Sequence, residues 1–186
     1  MTDGRTQRGV RNREAIIDAL LACYDDGILR PSVEEVATRA GVSARSVHNH
    51  FDDVEALRAE VAQRQWKRFS QYVVAIDAAV SIAERVDELV SQRAAIFEGV
   101  TPVRRAALLM MPTSPTIAAN LARLDRTLRR QIERGFPGLA PETLDAIDAL
   151  ASWDTWNRLR LAQGCSVTRA RRVLTTTIRT LVEGSA

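Results

Sequence analysis

Apolar residues recur at helical intervals along almost the whole chain, and no stretch of useful length alternates as a β-strand does. A first helix is predicted from Asn12, its cap, to Gly27, which ends it. Ser32 with Glu35 three residues later is the pattern of a capping box, which opens a short second helix. Gly41 ends that helix.

The helices change character near residue 70. Ser43 caps a short third helix, "ARSVHNHF", and Asp52 or Asp53 caps a longer fourth helix that continues past residue 70. Beyond this point the short, tightly turned helices give way to long amphipathic ones. We therefore expect a domain boundary inside the fourth helix, between a domain of residues 1–70 and one of residues 71–186.

Start and stop signals also divide the C-terminal part. Caps, prolines in first turns and terminal glycines predict helices at about residues 81–98, 101–111, 114–135, 140–164 and 166–183. The sequence therefore predicts an all-α fold of about nine helices joined by short loops.

The composition allows a substantial buried core, because 46% of the residues are apolar. No apolar run approaches the ~18–20 residues that a membrane span needs, and the N-terminus lacks an apolar signal core. We therefore expect a cytoplasmic protein with no membrane partner. Cys23 and Cys165 have no companion ligands nearby, which favours two reduced, partly buried thiols.

A local run of positive charge lies near the N-terminus, although residues 1–70 as a whole are close to neutral. The net charge is only +3, but Lys67 is the sole lysine, and arginine suits phosphate and guanine because its planar fork bonds bidentately. Coding bias in a GC-rich genome is the alternative source of the arginine excess. The local run is more informative, since an arm of residues 1–13 carries, with no acid between them, Arg5, Arg8, Arg11 and Arg13.

The stretch "VEEVATRAGVSARSVHNHF" has the spacing of a helix-turn-helix. Ala37 is small where two helices approach closely, and Gly41 falls at a turn that needs a positive φ. Val42 and Val47 point inward. The second helix then presents short or polar groups that can enter a major groove, namely Ala44, Arg45, Ser46, His48 and Asn49. A helical hairpin with a solvated polar face is the alternative.

Residues 12–60 resemble the N-terminal domain of the TetR family of transcriptional regulators. The family spacing holds at Ser32, Val36, Ala37, Ala40, Gly41, Val42, Ser43, Val47, His48, Phe51, Val54 and Leu57. The resemblance implies a three-helix DNA-binding domain followed by a helical ligand-binding and dimerisation domain. It also implies a homodimeric repressor that binds a palindromic operator on double-stranded DNA and is released by a small, partly apolar effector.

Two positions depart from the family pattern. His48 stands where the family usually has a tyrosine whose hydroxyl contacts phosphate, and an imidazole can donate the same bond with more pH sensitivity. Val54 replaces the usual lysine, which removes one phosphate contact. The basic arm can compensate by reaching the DNA backbone or an adjacent minor groove.

Arg45 is the best candidate for reading a base, because arginine to guanine is the commonest specific contact. The other predicted DNA contacts, to phosphates or base edges, are Arg39, Ser43, Ala44, Ser46, His48, Asn49 and His50. A solvated side chain is the alternative for Arg45, and packing beside Phe51 is the alternative for His50.

A dimer is expected because one module of this size buries too little surface for tight, specific DNA binding. The last two helices offer apolar positions at helical intervals: Leu144, Ile147, Ala151, Ala170, Val173, Leu174, Thr177, Ile178 and Leu181. Two such helices from each subunit would form a four-helix bundle. An ordinary core stripe within one chain is the alternative.

Large adaptable side chains in the C-terminal part suggest an effector pocket. The candidates are Phe97, Leu108, Met110, Met111, Trp153 and Trp156, with Arg104, Asp154 or Arg158 available to hold a polar end of the ligand. Plain core packing is the alternative for each of them.

An enzyme is the rival from another class. Both histidines lie on one short helix, and His48 and His50 are two residues apart and cannot share a face of it. The sequence contains no P-loop, no Gly-x-Ser-x-Gly and no dinucleotide fingerprint. We therefore expect no catalysis, no metal and no cofactor. A helical interaction protein that does not use its hairpin on DNA is the remaining alternative.

Overall fold

The computed structural model describes residues 4–51 and 54–185, with side chains for residues 7–51 and 55–185. The regular elements of this part are helices, with no strand: α1 (Gly4–Asp25), α2 (Val33–Ala40), α3 (Ala44–His50), α4 (Val54–Phe69), α5 (Ile82–Met110), α6 (Pro115–Gly135), α7 (Pro141–Leu150), α8 (Trp153–Asn157) and α9 (Val167–Glu183). The predicted all-α fold is confirmed, and the number of helices is close to that predicted. None of the helices described is long and apolar enough to cross a bilayer.

The chain divides into two compact units. The first comprises the chain up to Arg68 together with Pro102–Asn120, and the second comprises Phe69–Thr101 and the chain from Leu121. Helices α5 and α6 therefore contribute residues to both units, and the last residue of α4, Phe69, belongs to the second. The first unit includes a stretch, Pro102–Asn120, that lies outside the predicted domain of residues 1–70.

In the first unit, α1 packs against both α2 and α3. Helix α1 contributes an apolar face to this core, because its buried side chains recur at helical intervals from Ile16 to Tyr24. The buried side chains of α1 to α4 include Ile16, Ile17, Leu20, Val36, Val47, Leu57 and Val61.

In the second unit, α7 and α9 pack against each other. The buried face of α9 repeats every fourth residue, at Ala170, Leu174, Ile178 and Val182. Phe97 and Trp156 are also almost fully buried in this unit. This core uses large side chains from several helices, as expected for an all-α domain.

The predicted start of α1 at Asn12 is wrong, because the helix begins at Gly4. The arginines of this stretch are good helix formers. Arg13 is also held by two contacts, an ion pair with Glu60 and a position 4.6 Å from the centre of the Phe51 ring. A helix anchored there continues toward the N-terminus, so residues 4–13 are part of α1 and not an extended arm.

The predicted break at residues 99–101 is also wrong. Helix α5 runs through Gly99, Thr101 and Pro102 without interruption. Thr101 does not cap a new helix, because its hydroxyl donates back to the carbonyl of Phe97 at 2.5 Å and accepts the indole N–H of Trp153 at 3.0 Å. These contacts hold the helix at a point where proline removes one backbone donor.

The single helix predicted over residues 140–164 is divided in the structure. Ser152 adopts an extended conformation and its hydroxyl accepts the N–H of Thr155 at 3.2 Å, so it caps α8 as a new helix. Helix α8 then passes into a π-helical turn, Arg158–Ala162. The predicted fourth helix similarly ends at Phe69, slightly earlier than expected.

Candidate nucleic-acid interface

The helix-turn-helix begins with the capping box predicted at the start of α2. The hydroxyl of Ser32 accepts the N–H of Glu35 at 3.1 Å, and the carboxylate of Glu35 accepts the N–H of Ser32 at 2.7 Å. The hydrogen bonds from Ser32 lower the pKa of Glu35 below its usual value. Both contacts fix where α2 begins.

Gly41 makes the turn between α2 and α3. Its backbone has φ 67° and ψ 29°, the left-handed region that side chains disfavour, and its N–H bonds the carbonyls of Ala37 and Thr38. The N–H of Val42 also bonds the carbonyl of Ala37, at 3.0 Å. The predicted turn is therefore closed by backbone bonds that only this conformation permits.

Helix α3 is fixed at its start and along its inner side. The hydroxyl of Ser43 accepts the N–H of Ser46 at 3.1 Å, and Val47 and Phe51 are buried at 3% and 5% exposure. The opposite side of α3 must therefore face away from the core of the first unit.

The outer face of α3 carries the predicted polar residues. Arg45, His48 and Asn49 are exposed, and Ala44 and Ser46 beside them are half-buried. Arg45 and Asn49 are one helical turn apart and so lie on the same side. A guanidinium, an imidazole and an amide thus lie on one short surface, which suits hydrogen bonding to base edges and phosphates.

One predicted DNA contact, Arg39, has another partner in the structure, and a second, His50, is partly covered. Arg39 is exposed on α2, where its guanidinium pairs with Asp26 at 2.6 Å, a partner that the sequence pattern did not indicate. This side of α2 borders a groove of about 450 Å³ lined also by Glu34 and Glu35, whose charge is unfavourable for phosphate. His50 is half-buried.

The basic arm is only partly described. Arg8 and Arg11 are exposed on the first turns of α1, whereas Arg13 is held by Glu60 and Phe51. The side chains of Arg5 and Val54 lie outside the described part, and so do the predicted caps Asp52 and Asp53. The position of Arg13 was missed because its partners are distant in sequence.

The predicted pocket residues divide between the two units. Phe97, Trp153 and Trp156 are buried in the second unit, while Leu108, Met110 and Met111 belong to the first, where Met111 is exposed. The two indole N–H groups are satisfied, Trp153 by Thr101 at 3.0 Å and Trp156 by Glu98 at 2.8 Å. Of the polar candidates, Arg104 is buried and Asp154 and Arg158 are exposed.

The predicted dimer residues also separate into two sets. Residues buried within one chain are Ile147, Ala151, Ala170, Leu174 and Ile178. Residues at least partly exposed are Leu144, Val173, Thr177 and Leu181. The second set lies on the outer sides of α7 and α9, where a partner could reach it.

Within the described residues, no group of three or more histidine, cysteine, aspartate or glutamate side chains is placed to hold a metal ion. His48 is exposed on α3 and His50 is half-buried. Residues two apart point in different directions on a helix with 3.6 residues per turn, so the two histidines do not share a face.

Comparison with known proteins identifies the fold. The sequence matches no protein-family model and no curated protein. Among solved structures, a transcriptional regulator from Rhodococcus sp. Rha1 is similar with a TM-score of 0.72 at 20% identity, over 95% of this chain and 97% of that one. A TetR transcription regulator from Haloarcula marismortui is similar with a TM-score of 0.67 at 15% identity, over 94% and 97%.

A protein from Saccharomonospora viridis, solved in complex with choline, is similar with a TM-score of 0.68 at 22% identity, over 89% of this chain and 94% of that one. All three likenesses extend over nearly the full length of both chains. The chain therefore has the fold of TetR-family transcriptional regulators, as its sequence predicted.

Proposed function

We propose that the chain is a DNA-binding transcriptional regulator whose helix α3 reads bases in the major groove. The observation that carries the proposal is the exposed face of Arg45, His48 and Asn49, on a helix whose other side is buried. Caps and the Gly41 turn set the orientation of that helix. The fold shared with TetR-family regulators supports the same function.

The side chains have distinct proposed roles. Arg45 binds the O6 and N7 atoms of guanine, and the amide of Asn49 binds adenine. Phosphates are bound by the remaining polar groups, Arg39, Ser43, Ser46, His48 and His50. Ala44 lets the helix approach the bases, because its side chain is small. Ser43 can donate its hydroxyl hydrogen while its oxygen still caps α3.

We further propose a homodimer bound to a palindromic operator. Two-fold symmetry places two copies of α3 in successive major grooves about 34–36 Å apart. The exposed or half-buried side chains of α7 and α9, Leu144, Val173, Thr177 and Leu181, are the proposed contact between subunits. Their apolar atoms are available because the buried side of α9 already packs on its own chain.

The proposed regulator is a repressor in the cytoplasm, where the chromosome is accessible. A small, partly apolar effector, held near Phe97, Trp153 and Trp156, releases it from DNA. The choline complex of a structural neighbour supports small-molecule binding by this fold. Such a ligand acts only if it binds the released state more tightly than the DNA-bound state.

The test is selection of bound duplexes from a random pool, followed by affinity measurements on the selected sequence. An inverted repeat is expected. Arg45→Ala should weaken binding by roughly 1–3 kcal/mol and relax preference at one base position. Arg126→Ala, which removes an exposed arginine from α6, is the matched control and should leave base preference unchanged. Arg39→Ala should weaken all sequences alike and reduce the salt dependence.

The same measurements separate the competing functions. A helical interaction protein would show no salt-dependent retention on DNA and would select no duplex. An enzyme would select no duplex and would show turnover in a separate assay. Either outcome would contradict the proposed regulator.

A further inference from the structure

The segment Phe69–Ile76 is held to the rest of the second unit mainly at its two ends and at one backbone position in between. It begins with the last residue of α4, passes through a 3-10 turn, Ser70–Tyr72, and continues without regular secondary structure. Only its two end residues bury their side chains, Phe69 at 8% and Ile76 at 6% exposure. The contacts at Phe69, Val74 and Ile76 each involve other residues of the second unit.

The first contact fixes the end of α4. A β-carbon added at Gly99 of α5 would lie 2.1 Å from two ring atoms of Phe69. The Phe69 ring therefore occupies the space that the side chain of any residue other than glycine would need at position 99. Gly99 is inside a helix, where glycine costs roughly 0.5–1 kcal/mol relative to alanine, and the close approach of the ring accounts for its presence.

The second contact is made to the backbone of Val74. Its N–H donates to the Oε1 atom of Gln92 at 3.1 Å, and its carbonyl accepts the Nε2 group of Gln131. The side chain of Val74 is 55% exposed. Two amide side chains, one from α5 and one from α6, therefore bind the backbone N–H and the backbone carbonyl of Val74, as a neighbouring β-strand would.

Arg93 determines which way the Gln131 amide faces. The guanidinium is fully buried and donates to the Oε1 atom of Gln131 at 2.6 Å and to the carbonyl of Leu128 at 3.0 Å. Because a guanidinium has no acceptor, the oxygen of Gln131 must face Arg93. Its NH2 group then faces Val74, and also donates to Gln92 at 2.6 Å.

The buried arginine keeps its charge at neutral pH. Burial lowers the pKa of Arg93 to about 10, and the carbonyl and amide oxygens around it are its acceptors. Removing the acceptor on Gln131 would leave a buried charge poorly solvated, which is strongly unfavourable. The same amide of Gln131 therefore accepts the hydrogen bond from Arg93 and donates the one to Val74.

The third contact ends the segment. A β-carbon added at Gly135, the last residue of α6, would lie 2.8 Å from the β-carbon of Ile76. Between the anchors, the side chains of Gln71, Tyr72 and Ala75 are exposed. Few buried apolar atoms hold the middle of the segment, which is typical of regions that open locally below the global unfolding free energy.

We propose that Phe69–Ile76 is a releasable strap, closed by the amide of Gln131. Its three anchors lie within the second unit, so the strap does not depend on the proposed function.

Gln131→Glu separates strap release from loss of stability. A glutamate still accepts from Arg93, now as an ion pair, but it can donate neither to the carbonyl of Val74 nor to the Oε1 atom of Gln92. Hydrogen exchange of the Val73–Ile76 amides should accelerate about tenfold, the effect of roughly 1.4 kcal/mol. The urea midpoint should stay unchanged or rise. Unchanged exchange, or faster exchange spread evenly over α5 to α9, would overturn the proposal.

A second variant acts on the other end of the strap. Gly99→Ala should displace Phe69 and speed exchange at the strap, and adding Phe69→Leu should restore part of the protection because the smaller side chain relieves the clash. Ala95→Val, at an exposed position of the same helix, is the control. If strap exchange in the double variant is as fast as in Gly99→Ala alone, the first contact is contradicted.

Discussion

At the scale of single residues, Asp26 stands out because it neutralises a cation that we propose for DNA binding. Its carboxylate lies just beyond the end of α1 and pairs with Arg39 of α2 at 2.6 Å. Both side chains are accessible to solvent, so the pair contributes little to folding. Its larger effect would be electrostatic, since a carboxylate beside the proposed phosphate contact repels DNA.

We expect Asp26→Asn to strengthen binding to all DNA sequences alike. The substitution removes the repulsion and leaves Arg39 available for phosphate, so the salt dependence should also become steeper by about one phosphate contact. Titration of duplex DNA at several salt concentrations measures both effects. Asp25→Asn is the matched control, because it removes the same charge from the neighbouring exposed residue. Equal effects of the two variants would exclude a specific role for the Arg39 pair.

At the scale of elements, the carboxylate of Glu98 joins α5 to the region of α8 and the π-helical turn. It accepts the Nε and NH2 groups of Arg160 at 2.8 and 3.0 Å, and the indole N–H of Trp156 at 2.8 Å. The bond from Arg160, followed by that from Trp156, holds the pKa of Glu98 below its usual value, against the opposing effect of burial.

A lowered carboxylate pKa stabilises the fold above the pKa of the unfolded chain, and this stabilisation is lost as the pH falls through the folded pKa. The unfolding free energy should therefore fall below about pH 5. Glu98→Gln should lower stability at pH 7 and make the curve flatter in this acidic range. Urea unfolding at a series of pH values measures it, with Glu183→Gln as the control at an exposed carboxylate. An unchanged slope for Glu98→Gln would contradict this account.

The elements themselves were predictable where local signals decide them. Ser32, Gly41 and Ser43 mark α2 and α3 with caps and a turn that depend on neighbouring residues alone. Glycine and proline at residues 99–102 gave a false break, because the contact of Trp153 with Thr101 lies far away in sequence. The break at Ser152 was missed for the converse reason, since the apolar pattern continues through it.

The candidate site shows the same division. The exposure of Arg45, His48 and Asn49 follows from the helical period once Val47 is known to face inward. The partners of Arg39 and Arg13 were not predictable, because an ion pair between residues far apart in sequence leaves no periodic signal. The hydrogen bonds to Val74 were not predictable either, because they use backbone atoms that every residue has.

At the scale of the whole molecule, the proposed dimer depends on the outer side of α9. Val173 is 39% exposed there although it is apolar, whereas the opposite side of the helix is buried in its own chain. A charge at this position would remain solvated in a monomer but would be buried in the proposed interface.

Val173→Lys should therefore convert a dimer into monomers and weaken operator binding in a manner that protein concentration can reverse. Sedimentation velocity at several concentrations, with the selected duplex and without it, measures this. Thr168→Lys is the control, because it adds the same charge to an exposed position on another side of α9. Dissociation by both variants, or by neither, would exclude the proposed contact.

The two cysteines have a practical consequence. Both are free, with Cys23 in the first unit at 1% exposure and Cys165 in the second at 3%. Burial raises the pKa of the Cys23 thiol, which keeps it protonated and unreactive. Each thiol should therefore react with an alkylating reagent only when the protein around it opens. Peptide mass spectrometry of the alkylated cysteines would measure that opening rate separately for each unit, with no attached dye.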